Sequence, residues 1–426
     1  MTRAIQTSGL APVRQILDNG LVCIAQETSF SPAVTISVAV RAGTVCEPPS
    51  QPGLAAFLGR VLDRGTSTLT ADAIAEALDD RGVALRVSTN RHAQTISCTC
   101  LTEDFEEMLS LVAAIVREPA FPLDQIEKRR AETITSIRQD LDNPGVRASD
   151  ALQTLLYGAD HPYGRPPKGS IESVERFRRD DLVSLHTQTF APSLTSVILV
   201  GDIHAASALD RVAQAFGGWE HQARVETAIP PIAAGDGRRE VRIDMPEKSQ
   251  SDIAYGFVTI DRLDPAYYAY WVMNNILGQF GLGGRLAENI RERQGMAYYA
   301  FSGFDPSLGP GPLVIRAGVD PRNVDRAIAA IDAEVSSLGT DGPTDGEMAE
   351  TRQYLVGSIP RLLETNQSIA VFLQTAEFFG LGLDYDRRLP EYIEAVTIDQ
   401  VRAAAGAVLH PERAALAVAG PAAPRD

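Results

Sequence analysis

Short apolar-rich runs separated by turn residues stand near the start of the chain. The runs Val13–Leu17, Leu21–Gln26 and Ala33–Ala42 therefore read as strands. Asp18-Asn19-Gly20 joins the first two, and Asn-Gly between apolar runs is a strong hairpin signal. The pattern then changes. Leu54, Phe57, Leu58, Val61 and Leu62 recur at helical spacing and form one buried face. Ala71–Arg81 reads as a second helix, followed by two strands, Val83–Ser88 and Gln94–Cys100.

The pattern occurs twice. One segment, SIESVERFRRDDLVSLHTQTFAPSLTSVILVGDI, and a later one, YIEAVTIDQVRAAAGAVLHPERAALAVAGP, share an I-E-x-V opening and an amphipathic helix. Each continues through a Pro turn into a β-run ending at Gly201 or Gly420. Between them HQARVETAIPPIAAGDGRR, from His221 to Arg239, is rich in Pro, Gly and mixed charge and reads as a linker. The expected organisation is an N-terminal domain over 1–222, a linker over 223–239 and a C-terminal domain over 240–426. The fold class is α+β: two homologous domains, each a mainly antiparallel sheet packed on a layer of helices.

Composition narrows the function. A chain of 426 residues with 44% hydrophobic residues suits two domains with real cores. Its formal charge of −16 repels phosphate backbones and anionic lipid, so nucleic acid and membrane surfaces are not expected partners. Net charge at most favours a basic peptide over an acidic one. The N-terminus shows no apolar leader and the chain no run of 18 apolar residues, so the expectation is a cytoplasmic protein without a membrane span. Cys23, Cys46, Cys98 and Cys100 have no CxxC spacing and are expected to be buried free thiols. The histidines at 92, 161, 186, 204, 221 and 410 contain no pair three or four apart. No G-x-S-x-G or phosphate loop is present.

The segment Pro52–Cys98, PGLAAFLGRVLDRGTSTLTADAIAEALDDRGVALRVSTNRHAQTISC, resembles the first helices and sheet of the pitrilysin/insulinase (inverzincin) peptidases. Active members carry H-x-x-E-H in that first helix, two imidazoles binding zinc and a glutamate activating water. Aligned on the flanking G-L-A and F-L, the three positions here hold Ala56, Gly59 and Arg60. The family's third ligand lies in a helix ending before D-x-P. The matching stretch, KRRAETITSIRQDLDNP, places Thr135 and Ser136 there, with Glu132 and Asp140 one turn to either side. The resemblance thus implies a chain that has lost its metal at Ala56, Gly59, Arg60 and Ser136. The following LYGADHPYGRPPKGSIESV resembles the family's H-P-x-G-R loop, where Pro162, Gly164 and Pro166 shape a turn and His161 caps or packs.

A further motif is kept. Ile276–Tyr298, ILGQFGLGGRLAENIRERQGMAY, reads as a helix with Leu286 and Ile290 on its apolar side and Gly295 as its stop, followed by a strand from Tyr298. The run Gly281-Leu282-Gly283-Gly284 before it reads as a flexible turn. Arg291 and Tyr298 match the family's arginine–tyrosine pair, seven residues apart, which in active members faces the substrate from the half opposite the zinc. Arg293 and Tyr299 lie beside the pair but off its spacing. The bland alternative is a surface ion pair for Arg291 and a packed Tyr298. The resemblance implies a non-catalytic subunit of a heterodimeric bacterial processing peptidase, inactive alone. It would supply Arg291 and Tyr298 in trans to a zinc-bearing sister chain acting on peptides. A peptide-binding or structural homodimer, like the core proteins of respiratory complexes, is the alternative.

Overall fold

A computed structural model describes residues 9–223, 229–232, 235, 237–279 and 283–422. A six-stranded sheet forms from β1 (Val13–Ile16), β2 (Val22–Glu27), β3 (Ala33–Val40), β4 (Arg86–Thr89), β5 (Gln94–Leu101) and β6 (Thr195–Gly201). Its order is β1-β2-β6-β3-β5-β4. A five-stranded sheet follows from β7 (Arg239–Asp244), β8 (Ser251–Val258), β9 (Ala297–Phe304), β10 (Pro312–Val319) and β11 (Ala415–Gly420), in the order β7-β11-β8-β10-β9. Apart from β1 the two orders are identical. Each has one parallel pair, β2 with β6 and β7 with β11, and the other pairs are antiparallel. The repeat seen in the sequence is therefore a repeat of topology, and the repeated tails end in β6 and β11.

The helices of the first half are α1 (Leu54–Val61), α2 (Ala71–Asp79), α3 (Phe105–Arg117), α4 (Leu123–Leu141), α5 (Pro144–Tyr157), α6 (Ile171–Arg176), α7 (Arg179–Thr189) and α8 (Ala205–Phe216). Those of the second half are α9 (Tyr267–Asn274), α10 (Val324–Asp341), α11 (Asp345–Leu362), α12 (Asn366–Phe378), α13 (Tyr385–Glu394) and α14 (Ile398–Val408). None of the described helices is long and apolar enough to cross a membrane. The expected face of α1 is buried in full at Leu54, Phe57, Leu58, Val61 and Leu62. All four cysteines are free and buried. One boundary differs from expectation: Val83 does not open a strand. Its N–H bonds to Leu78 O and closes α2, so pairing starts only at Arg86.

The sequence suggested one helical layer per sheet. Each sheet is instead covered on both faces. Helices α1, α3 and α8 lie over one face of the six-stranded sheet. Helix α12, from the far end of the chain, lies over β3 and β6 on the other. Its Ile369, Ala370 and Leu373 join Ile24, Ile198 and Val200 in one buried cluster. Asn366 donates to Ala33 O and accepts from Thr28 Oγ1, and Gln374 donates to Ser196 Oγ. The five-stranded sheet repeats the device with α5, from the first half, over β8 and β11. The compact units accordingly hold the described residues of 1–135, 166–228 and 359–389 in one case, and of 136–165, 229–358 and 390–426 in the other. The contiguous ranges 1–222 and 240–426 follow the repeat along the chain, whereas the packing exchanges a helix between them. The 223–239 linker falls partly on residues outside those described.

A fragment of residues 1–222 should therefore expose the Ile24, Ile198 and Val200 face. It is expected to bind a hydrophobic dye and aggregate, and a co-expressed 359–389 segment should suppress both. Equal solubility and equal dye binding with and without that segment would contradict this arrangement.

Candidate functional site

The helix that aligns with the metal motif is set by a residue the motif does not include. Its N-terminal flank, Gly53, has a positive φ of +90° and no side chain to cap the first turn. The Glu47 carboxylate takes that task, accepting from Gly53 N at 3.0 Å and Ala55 N at 3.1 Å. Glu47 is only 7% exposed and sits at the positive end of α1. No local pattern marks it, because it lies six residues upstream in irregular chain.

Ala56 is half-buried and has no donor atom. Gly59 is buried under the β4–β5 hairpin, where a Cβ would lie 2.4 Å from Thr89 Oγ1 and 3.2 Å from Gln94 Oε1. Arg60 is exposed and reaches Glu132 on α4, Nη2 to Oε2 being 3.5 Å. Glu132 also receives Arg129 at 2.5 Å. Burial works against the Glu132 charge, but the Arg129 hydrogen bond and the charges of Arg129, Arg60 and Lys128 outweigh it and hold the carboxyl below its ordinary value. Asp63, at the end of the same helix, is lifted above its ordinary value by burial, with Arg64 and Arg129 opposing. Ser136 is half-buried one turn beyond Glu132 on α4.

Fixed guanidinium charge thus stands where a metal would need imidazole and carboxylate donors. Among the described residues no group of three or more His, Cys, Asp or Glu is disposed to hold a metal ion. The residues present do not fit zinc. His161 is likewise structural: its Nδ1 accepts from Tyr163 N, which leaves Nε2–H to donate to Pro230 O at 3.0 Å.

The second constellation sits at the edge of the five-stranded sheet. Residues Asn275–Gln279 and Ala287–Arg293 are helical with wide, i→i+5 turns, a rare form. The expected turn Gly281–Gly284 is described only at Gly283 and Gly284, since Gly281 and Leu282 lie outside the described residues. The second wide-turn segment packs on β9 and ends at Gly295, whose φ of +60° is the expected helix stop. Arg291 lies in its last turn with a side chain 39% exposed, and its Nε is 3.5 Å from Glu292 Oε1.

Tyr298 is 84% exposed. The register explains this. Tyr299 pairs with Gly318 and Ala297 with Val319, so Tyr298 is the extra residue of a β-bulge, and bulges re-aim side chains. The neighbouring residue, off the family spacing, fixes the bulge. Gly318 stands between Tyr299 on β9 and Asp252 on β8. The Tyr299 ring crosses it, Cε1 lying 2.6 Å from where a Cβ would be, and its Oη donates to Asp252 Oδ1. Burial, and then the hydrogen bond to Asp252, push the phenol pKa up, so Tyr299 remains a neutral donor. Arg293 pairs with Glu288 on the surface.

Two copies of one sheet-and-helix unit, with the motif helix stripped of donors, define the class: a zinc-peptidase fold without its zinc ligands. Residues 22–160 match the model of Insulinase (Peptidase family M16), and residues 176–355 match that of the Peptidase M16 inactive domain. The chain belongs to the M16 peptidase family. It is 29% identical over 422 residues to an uncharacterized zinc protease of Mycobacterium leprae, covering 98% of this chain and 93% of that one. It is 25% identical to a non-peptidase homolog of Helicobacter pylori, covering 89% and 87%. The crystal structure of a peptidase M16 inactive domain from Pseudomonas fluorescens superposes with a TM-score of 0.90 at 25% identity, covering 97% of this chain and 99% of that one.

Two outcomes follow from this packing. Placing a Cβ at position 59 should be more favourable by about 1–2 kcal/mol in a Thr89→Ala background than beside Thr89, because the clash is with that hydroxyl. A double-mutant cycle of Gly59→Ala and Thr89→Ala by urea denaturation checks it, and strict additivity would refute it. Tyr299→Phe should cost about 1–3 kcal/mol by leaving a buried carboxylate short of a donor, read from the same denaturation curves.

Proposed function

We propose that this chain is the zinc-less subunit of a heterodimeric zinc peptidase, forming half of a peptide-binding chamber in a bacterial cytoplasm. A sister chain of the same family would carry the zinc and its ligands. This chain would supply Arg291 and Tyr298 in trans. The observation that carries the reading is the bulge: it costs a ladder position on an edge strand to hold a phenol 84% exposed, beside a wide-turn segment presenting Arg291. A core tyrosine needs no such device. A kept pair in one unit and a motif helix without donors in the other are what a division of labour between two chains would leave.

Chemically, a fixed guanidinium and a phenol O–H are donors for the carbonyl of a bound peptide. As charge develops on that oxygen, preorganised donors in a water-excluded site lower the barrier. The edge strands β4 and β9 offer unpaired backbone groups to which an extended peptide would add as a further strand. The relative described as a non-peptidase homolog and the solved inactive domain support a chain that does not cut peptides unaided.

The test is reconstitution. The chain is mixed with a zinc-bearing M16 chain from the same genome, and cleavage of quenched fluorescent peptides is followed. Neither chain alone is expected to be active, and the mixture should be. Arg291→Ala and Tyr298→Phe should each lower kcat by about 100-fold or more without dissociating the pair. Undiminished activity in both variants would remove the trans role. A stable homodimer that binds peptides but activates no sister chain would favour the binding-protein alternative.

A further inference from the structure

Beside the Tyr299–Asp252 crossing lies a cavity of about 340 Å³, bounded by β8, β9, β10 and the first turns of α5. Its polar groups divide sharply. Asp252 is 6% exposed, and its carboxylate is taken up by Tyr299 Oη and, at 3.4 Å, by Gln250 Nε2. The Asn143 side-chain oxygen caps α5, accepting from Gly145 N and Val146 N. Ser149 Oγ donates to Gly145 O. Arg316 differs from all of these. It is the single exposed residue of β10, an inner strand, and makes no hydrogen bond or ion pair among the described residues.

Two features point Arg316 toward an anion. The positive end of α5 opens on the same cavity, which adds to its field. The ring of Phe301, directly across the ladder from Arg316 and 42% exposed, forms an apolar wall on the side of the free edge. A peptide added along β9 would send alternate side chains to this face of the sheet. A side chain arriving there meets methylene-compatible surface first and a guanidinium behind it, an arrangement suited to a carboxylate on a short apolar stem.

We infer that this cavity is a side-chain pocket for an acidic residue, Asp or Glu, of a peptide laid along β9, with Arg316 as the specificity-determining residue. This rests on the peptide-binding reading above. It also refines the charge argument: the overall charge of −16 disfavours acidic peptides, so the preference belongs to one position of an otherwise neutral or basic peptide.

The probe is a series of fluorescein-labelled extended peptides of about ten residues, uncharged except at one position that is stepped along the chain as Glu, Gln or Lys. Binding to the full-length protein is read by fluorescence anisotropy. At one position the wild-type protein should bind the Glu peptide about tenfold tighter than its Gln twin, and the Lys peptide more weakly than either. R316Q should erase the difference while keeping the Gln-peptide affinity, and R316E should turn the preference to Lys. A Glu preference that survives R316Q, or Gln peptides that bind with no Glu preference at any position, would overturn the pocket and leave the peptide-binding reading standing. Failure of every peptide to bind wild type would overturn both.

Discussion

A sheet buried on both faces needs two coverings, and a chain that supplies only one per sheet leaves an apolar surface in water. This constraint organises the molecule. Ile24, Ile198 and Val200 line the second face of the first sheet, and the residues that dry it, Ile369, Ala370 and Leu373, arrive from the other end of the chain. Helix α5 does the reciprocal work over β8 and β11. The long helices α4 and α11 precede these two crossings in the chain.

The two sites are related by that symmetry. Strand β4 stands in the first sheet where β9 stands in the second, both at the edge. Beside β4, Arg60 and Arg129 share the Glu132 carboxylate where the family places a metal. Beside β9, a bulge and a glycine-spanning phenol hold Tyr298 out from the sheet. One edge is flanked by a surface ion pair, and at the other the Tyr298 side chain stands exposed. The buried Glu47 still fixes α1 in place, so loss of the metal ligands has left the scaffold of the motif helix intact.

Much of this was legible in the residues. Apolar runs, turn residues and the helical spacing of α1 placed β1 to β5, α1 and α2 to within a few residues. The repeated tails gave the internal duplication, and Ala56, Gly59 and Arg60 cannot ligate zinc in any fold. Other features were not legible because they depend on register or on distant partners. Tyr299 read as a neighbour of the important residue until the ladder set Gly318 between it and Asp252. Glu47 carries no motif. Arg316 looks like any strand arginine until it is seen to make no hydrogen bond or ion pair among the described residues. The exchange of α5 and α12 is invisible to local pattern, since an amphipathic helix does not record which sheet it covers.

The exchange also bears on how the chain is made. Strands β1 to β6 are complete once Gly201 has been synthesised, yet α12 begins only at Asn366. At translation rates of about 5–20 residues per second, the face of the first sheet that α12 covers stays open for on the order of ten seconds on a ribosome-bound chain. A nascent chain in that condition is a client for holding chaperones, and the cell carries the burden of shielding it until the far helix emerges.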